Sequence, residues 1–490
     1  MPISITFDHI RHLTLVADQI REEWSAPGCA VGIVHDEKTI FSAGFGHCRV
    51  GEEEKITPKT LFPIASATKS FTALSIALLV EEGVLDWDTP LQEYWPEFRL
   101  YDPVATGHIT VRDLLCHRSG LPRHDLVWYN TRLTREQLLE RVQYLEPTED
   151  FRYAYQYQNL MYTAAGHLVE RLSSIPWEDF VKERILKKLG MDFSHFRVED
   201  ALQSGSVAFP YMMQAGGITE VPHLNNEAIG PAGSMVSCLE DMMKWLSFHI
   251  CGALPDGQPL VGQHLLTEMY QPQIVSSPQS LYSEIPFVCS ALGWFVQTFR
   301  GHRMIFHAGN LQGFTSLVSF LPEQKLGIVI LSQVDQSRQP AVLTYEIYDR
   351  LLGLAPLDWQ GRLKREAEAE AERMEKHLRH LKESVTSTNV PDDSLSHEQT
   401  SRYAGIYHHP GYGHVHITHT ETNLQMVYNG LIFRLNRTAL HTFLASYDDT
   451  YSLHIPITFQ ADEEGYIVNF AGKLEPAVKA REICFIRLKD

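Results

Sequence analysis

Strand-like runs fall into three blocks along this sequence, and the long gap between the first two constrains the fold more than any other feature. The first block is a pair, CAVGIVHD and TIFSAGFG, joined by a polar turn at Glu37-Lys38 that reads as a hairpin. The second block, ALGWFVQTF, MIFHAG, FTSLVSFLP and LGIVILSQ, starts only at residue 291 and is closed by a helical pattern around 340–353. Between them lie a long apolar stretch from Ser66 to Val80 and, from about 108 to 250, mainly helical patterns with long loops, such as ITVRDLLCHRSGLPRHD and EDMMKWLSFHI. A helix over 7–24, with Phe7, Ile10, Leu13, Val16 and Ile20 at helical spacing, comes first and stops before Pro27-Gly28. A sheet assembled from both ends of a 355-residue segment, with helices inserted between, is an α/β layout whose site lies between sheet and helical subdomain.

The composition then changes. Residues 361–383, GRLKREAEAEAERMEKHLRHLKE, mix both charge signs among helix formers and read as a solvated connecting helix. Residues 384–398 are rich in Ser, Thr, Asn, Pro and Asp, a linker composition. Beyond 400 only short strands follow, with Asn429-Gly430 as a two-residue hairpin turn, so a small antiparallel barrel or sandwich is expected. The boundaries are thus 1–355, a connector at 356–398, and 399–490.

With 44% hydrophobic and 21% charged residues, the 490-residue chain has the balance of a soluble globular protein. A net charge of −18 argues against nucleic acid as a partner. No apolar run approaches the roughly 20 residues that span a bilayer, so no membrane association is expected. Asp8, His9 and Arg11 interrupt the opening segment where a signal peptide would be apolar, which points to the cytoplasm. The seven cysteines, at 29, 48, 116, 238, 251, 289 and 484, form no CxxC pair and read as reduced thiols.

The stretch PIASATKSFTALSI carries the chemistry. Ser66 at the head of an apolar helix is a natural cap. It is also three residues from Lys69, and side chains at that spacing share one helix face. A helix N-terminus offers free backbone N–H groups for an oxyanion, and its positive end together with Ile64 and Phe71 favours a neutral lysine amine. Ser-x-x-Lys arises by chance about once or twice in a chain of this length, so the spacing alone decides little. A lysine on an otherwise apolar helix is the stronger hint, because burying it is costly. Downstream, Tyr157-Gln158-Asn159 stands directly before an apolar helix that Asn159 could cap, and His307-Ala308-Gly309 ends one strand before another. His409-Pro410-Gly411 also matches His-x-Gly, inside the C-terminal strands. His117, Arg118 and His124 in CHRSGLPRHD are weighed as packing or turn residues, and Trp294 as core. His414 and His416 alternate on one strand and lack a third metal ligand.

Ser-x-x-Lys opening a helix after a strand pair, then Tyr-x-Asn, then His-x-Gly on a late strand resembles the serine β-lactamase and penicillin-binding-protein-like hydrolases, in the branch of class C β-lactamases, esterases and D-aminopeptidases. ITVRDLLCHRSGLP, PAGSMVSCLEDMMKWL and HAGNLQGFTS are similar to stretches of that branch, and YAGIYHHPGYGHVHI to the lipocalin-like β-domain often appended to it. The resemblance implies an antiparallel sheet flanked by helices with an inserted helical subdomain, plus a C-terminal antiparallel β-barrel. It implies Ser66 as acylated nucleophile, with Lys69 and Tyr157 sharing proton transfer. Asn159 would bind a substrate amide and orient Lys69, and His307 and Gly309 would line the substrate strand. The N–H groups of Ser66 and Asn310 would form the oxyanion hole. No cofactor and no metal enter this scheme. The substrate expected is a small ester, amide or short peptide, with a D-residue aminopeptidase, a carboxylesterase, a weak D,D-carboxypeptidase or β-lactamase, and a non-turning-over binding protein all open. In relatives that bind D-alanyl peptides or β-lactams the late triplet is Lys-Thr-Gly or Lys-Ser-Gly; here Ala308 lacks the hydroxyl and His307 is only partly charged, so carboxylate recognition is weaker unless Arg303 or His302 substitutes. The C-terminal barrel could shape the cleft, hold a homo-oligomer together, or bind a ligand.

Overall fold

The computed structural model describes residues 7–214, 216–277, 282–386, 400–419, 424–447 and 453–489, and the chain divides into two compact units. Most of the expected linker at 384–398 lies outside the described residues.

The first unit comprises Met1–Phe98, Gly107–Ser119 and Phe151–Lys364. Its centre is an eight-stranded sheet in which every neighbour pair is antiparallel. In spatial order the strands are Lys38–Gly46, Gly28–His35, Leu326–Ser332, Phe314–Leu321, His302–Leu311, Phe295–Phe299, Val288–Ser290 and Ile274–Ser277. The two distant sequence blocks meet where Gly28–His35 pairs with Leu326–Ser332, with Val31 opposite Ile330. These two strands are almost entirely buried, which is why they read as continuous apolar runs rather than as alternation. The first hairpin turns at Asp36-Glu37, both with positive φ, one residue earlier than the sequence suggested. Two left-handed residues match the twist of a tight hairpin, and Lys38 already belongs to the second strand. The edge strand Ile274–Ser277 and its neighbour Val288–Ser290 are too short to show a period and were not foreseen.

Helices cover both faces. On one, Leu13, Ala17 and Ile20 of the helix Phe7–Glu23 and Val342, Leu343 and Ile347 of the helix Gln339–Leu351 close a core over Val31, Ile33, Ile328 and Ile330. On the other, the helix Leu239–Cys251 comes so close to the sheet that a Cβ at Gly327 would lie 2.7 Å from Leu246 Cδ2. Its Trp245 stacks on Phe71 at 3.8 Å between ring centroids. Phe71 belongs to the helix Thr68–Glu81, whose residues 68–79 are all buried, so this helix runs through the interior of the unit. Trp294 is buried, as expected for a core residue. All seven cysteines are free thiols, five of them buried. Among the described residues no helix is long and apolar enough to cross a membrane.

The second unit joins Arg365–Asp490 to two pieces from far upstream, Arg99–Thr106 and Gly120–Asp150. Its eight consecutive strands, from Gly405–His409 to Ile483–Arg487, close into an antiparallel barrel where Tyr407 pairs with Arg487. Asn429 and Gly430 form the hairpin turn read from the sequence, both at positive φ. Side chains fill the barrel: Tyr407, Phe470 and Phe485 lie ring against ring at 5.2 and 4.8 Å, while His414 and His416 face outward. The upstream segment is bound in by polar contacts. Asn130 Nδ2 donates to the Asn429 carbonyl at 2.7 Å, and buried His124 meets the Tyr412 hydroxyl through Nδ1 at 2.8 Å.

Candidate active site

The strand Leu61–Pro63 ends just before Ala65, a non-glycine residue with φ +50, and one 3-10 turn, Ala65–Ala67, then runs into the buried helix Thr68–Glu81. Such a left-handed residue persists only where its surroundings fix it. Here they do: the Ile64 N–H donates to the Met235 carbonyl at 2.9 Å and the Ile64 carbonyl accepts from Ser316 Oγ at 2.8 Å. Ser66 is the partly exposed residue of an otherwise buried run. It does not cap the helix. The N-cap position is Ala67, with no side-chain bond, because the intervening 3-10 turn places Ser66 ahead of the helix proper. Its hydroxyl is taken by a different partner.

That partner is Lys69, which is fully buried. Its Nζ is 3.1 Å from Ser66 Oγ, 2.8 Å from Asn159 Oδ1 and 2.7 Å from the Ala232 carbonyl. The same nitrogen stands 4.8 Å from the centre of the Tyr157 ring and 5.4 Å from that of Tyr162. Three acceptors match the three donors of an ammonium, and no carboxylate is among them. Tyr162 is locked in turn: its hydroxyl donates to the Leu115 carbonyl and accepts the Gly293 N–H at 2.9 Å.

Asn159 opens the helix Asn159–Ser173 but does not cap it. Gln158 is the N-cap, its side chain accepting from Leu160 N at 2.8 Å, which frees the Asn159 amide to face Lys69. Tyr157 is half-buried, and its ring stacks on that of His117 at 4.2 Å between centroids, 27° from parallel. Arg118 Nε donates to buried Asp113 at 2.5 Å.

Across the cleft, His307 lies on the strand His302–Leu311 and is buried. Burial, with Lys69 nearby adding repulsion, pushes its pKa down to about 3 despite the Nδ1 contact with the Ala308 carbonyl. The ring is therefore neutral at physiological pH rather than partly charged. Gly309 presses against the Ser66 turn: a Cβ there would run into the Ile64 carbonyl and stand 2.5 Å from Ser316 Oγ. Asn310 is exposed, and its side-chain oxygen accepts from Thr315 Oγ1 at 3.2 Å. Arg303 lies four residues back on the same strand, about 13 Å away at strand rise, and is paired with Glu323 at 2.9 Å.

Ser66, Lys69 and Asn159 are thus joined by hydrogen bonds, with Tyr157 over the lysine and the His307–Gly309 strand against the turn. The sequence reading missed two members. Ala232 acts through its carbonyl, which no side-chain pattern reveals; only its setting in the small-residue run PAGSM marks a close approach. His117 was weighed as a packing residue and proves to be the ring beneath Tyr157. Among the described residues, no group of three or more His, Cys, Asp or Glu side chains could hold a metal ion.

Comparison with known proteins fits this geometry. The Beta-lactamase family model matches residues 16–352, and a model described as a domain of unknown function, DUF3471, matches 390–487. The chain is 28% identical over 417 residues to unguisins hydrolase ungD' of Aspergillus campestris, covering 81% of this chain and 75% of that protein. Its fold is similar to the octameric penicillin-binding protein homologue from Pyrococcus abyssi, with TM-score 0.62, 21% identity, and 97% and 99% of the two chains covered. It is also similar to D-amino acid amidase from Ochrobactrum anthropi SV3, with TM-score 0.56, 22% identity, and 70% and 98% covered. The chain belongs to the Beta-lactamase family of serine hydrolases.

Proposed function

We propose that the protein hydrolyses small esters, amides and short peptides, without relying on a substrate carboxylate, through an acyl-enzyme on Ser66. The observation that carries this reading is Lys69, fully buried and hydrogen-bonded to the Ser66 hydroxyl. As a neutral amine it donates two protons, to Asn159 Oδ1 and to the Ala232 carbonyl, and its lone pair then faces Ser66 Oγ. Ser66 loses its proton to Lys69 as Oγ bonds to the substrate carbonyl carbon. The oxyanion is held by the N–H groups of Ser66 and Asn310. Tyr157, over Lys69, passes the proton on to the departing amine. In deacylation water gives a proton to Lys69 as its oxygen bonds to the acyl carbon, and the bond from that carbon to Ser66 Oγ then breaks as Lys69 returns the proton to Oγ.

Substrate class follows from the late strand. A neutral, buried His307 and a methyl at Ala308 offer neither the cation nor the hydroxyl that would hold a substrate carboxylate. Arg303, about 13 Å along the strand and paired with Glu323, does not stand in for them. This disfavours D,D-carboxypeptidase and β-lactamase activity relative to amidase, peptidase or esterase activity. The unguisins hydrolase among its likenesses supports a hydrolytic role, and the D-amino acid amidase supports amide bonds with a D-residue preference. A panel of a p-nitrophenyl ester, L- and D-aminoacyl p-nitroanilides and a chromogenic cephalosporin tests the reading. The expected order places D-aminoacyl anilide and ester at least about tenfold above the cephalosporin in kcat/KM, a difference of ~1.4 kcal/mol in the transition state. A cephalosporin turned over best would contradict it.

A further inference from the structure

His117 is tied to Tyr157 from three directions. Its carbonyl accepts the Gln156 N–H at 2.8 Å, its Nδ1 accepts the Gln158 N–H at 3.0 Å, and its ring stacks on Tyr157 between those two bonds. Because Nδ1 accepts, the neutral ring carries its proton on Nε2. Tyr162 at 5.2 Å and Tyr155 at 5.7 Å flank the imidazole. His117 itself is buried with φ +62, a conformation that needs outside support. The support comes from the adjoining residues. Arg152 N donates to the Arg118 carbonyl at 2.8 Å, so 117–118 and 152–158 run as two legs of one stem. Buried Asp113 grips both legs, accepting from Arg118 Nε at 2.5 Å and from Arg152 Nη2 at 2.6 Å.

We infer that His117 is a positioning residue for the hydrolytic reaction: it fixes the ring of Tyr157 and the backbone N–H groups of both its neighbours, and so holds the phenol where it can exchange a proton with Lys69. The inference rests on the role of Tyr157 proposed above. The test is a double-mutant cycle of His117→Phe and Tyr157→Phe, read as kcat and KM on a D-aminoacyl p-nitroanilide, whose departing amine takes the proton that Tyr157 passes on, with thermal unfolding of every variant. His117→Phe keeps a ring for stacking and removes the Nδ1 acceptor. Alone, it is expected to lower kcat about 10²-fold, as for a displacement near 1 Å, with KM changed less than about threefold. In the Tyr157→Phe background it is expected to change kcat by less than about threefold, since it acts through a phenol already gone. His117→Asn, which places an oxygen near the Nδ1 position, is expected to recover at least about tenfold of the loss and replaces the Phe variant in the cycle if that one does not fold. Equal losses in both backgrounds, or an unchanged kcat in His117→Phe, would overturn the inference while leaving Tyr157 its role. A Tyr157→Phe enzyme with wild-type kcat would overturn both.

Discussion

Replacing Lys69 by Met separates a lysine kept for chemistry from one kept for structure. The three acceptors around Nζ are a hydroxyl, an amide and a carbonyl, none of them a carboxylate that Lys69→Met would strand. At worst it leaves two buried acceptors, Asn159 Oδ1 and the Ala232 carbonyl, without a donor, at about 1–3 kcal/mol each. Against this stands the cost of holding a polar amine away from water, or of keeping it neutral there, which the variant no longer carries. Met also fills much of the volume of the lysine stem and adds apolar burial of its own. The terms nearly cancel, and the net change in stability is expected within about 2 kcal/mol, a few degrees in Tm. Activity behaves differently. Loss of the base is expected to lower kcat on the p-nitrophenyl ester by about 10²–10⁴-fold. Thermal unfolding and steady-state kinetics on one preparation give both numbers. A variant destabilised by more than about 5 kcal/mol that retains kcat within tenfold would mean that Lys69 is structural, and the reasoning would fail.

Other consequences are more local. Asn159→Ala removes one acceptor from Lys69 and is expected to lower kcat about 10²-fold while the helix, capped by Gln158, keeps its stability within about 1 kcal/mol; circular dichroism and kinetics check both halves. Gly309→Ala drives a methyl against the Ile64 carbonyl and should cost about 1–3 kcal/mol and abolish acylation, whereas Ala308→Gly should do neither. Four histidines contribute to the acid limb of stability. His307 and His249 are held near 3 and His124 and His409 near 4, all chiefly by burial, each below the unfolded value of about 6.5. Between those limits the unfolded chain binds more protons than the native one, so stability rises with pH through the window and is lost as pH falls from about 6.5 toward 3. Each group contributes a slope of about 1.4 kcal/mol per pH unit, and His249→Phe should flatten the measured slope by one such share. Activity between pH 7 and 9 should show no ionisation of His307.

How far these features were legible in the sequence varies with the physics behind each. The sheet joining residues 28–46 to 295–332 was visible because fully buried strands are continuous apolar runs, and the barrel because half-buried strands alternate. The edge strand Ile274–Ser277 was not, since four residues carry no period. The site was legible as spacing and order: Ser66, Lys69 and Asn159 do meet. Its fine structure was not. Whether Ser66 caps a helix depends on one 3-10 turn forced by the left-handed Ala65, which no residue type announces. Asn159 and Gln158 are both plausible caps, and only the pull of Lys69 decides between them. The charge of His307 depends on burial 240 residues from Ser66, and Ala232 contributes main chain alone. Nor does any pattern show that Gly120–Asp150 folds with the distant barrel, through contacts such as His124 with Tyr412.

The central claim is that Ser66 becomes acylated, and mass spectrometry of the protein treated with a fluorophosphonate probe tests it most directly. Wild type is expected to gain one probe mass on the peptide containing Ser66, and Ser66→Ala, folded to the same Tm, is expected to gain none. Equal labelling of the two proteins, or a label mapped to another serine, would contradict it.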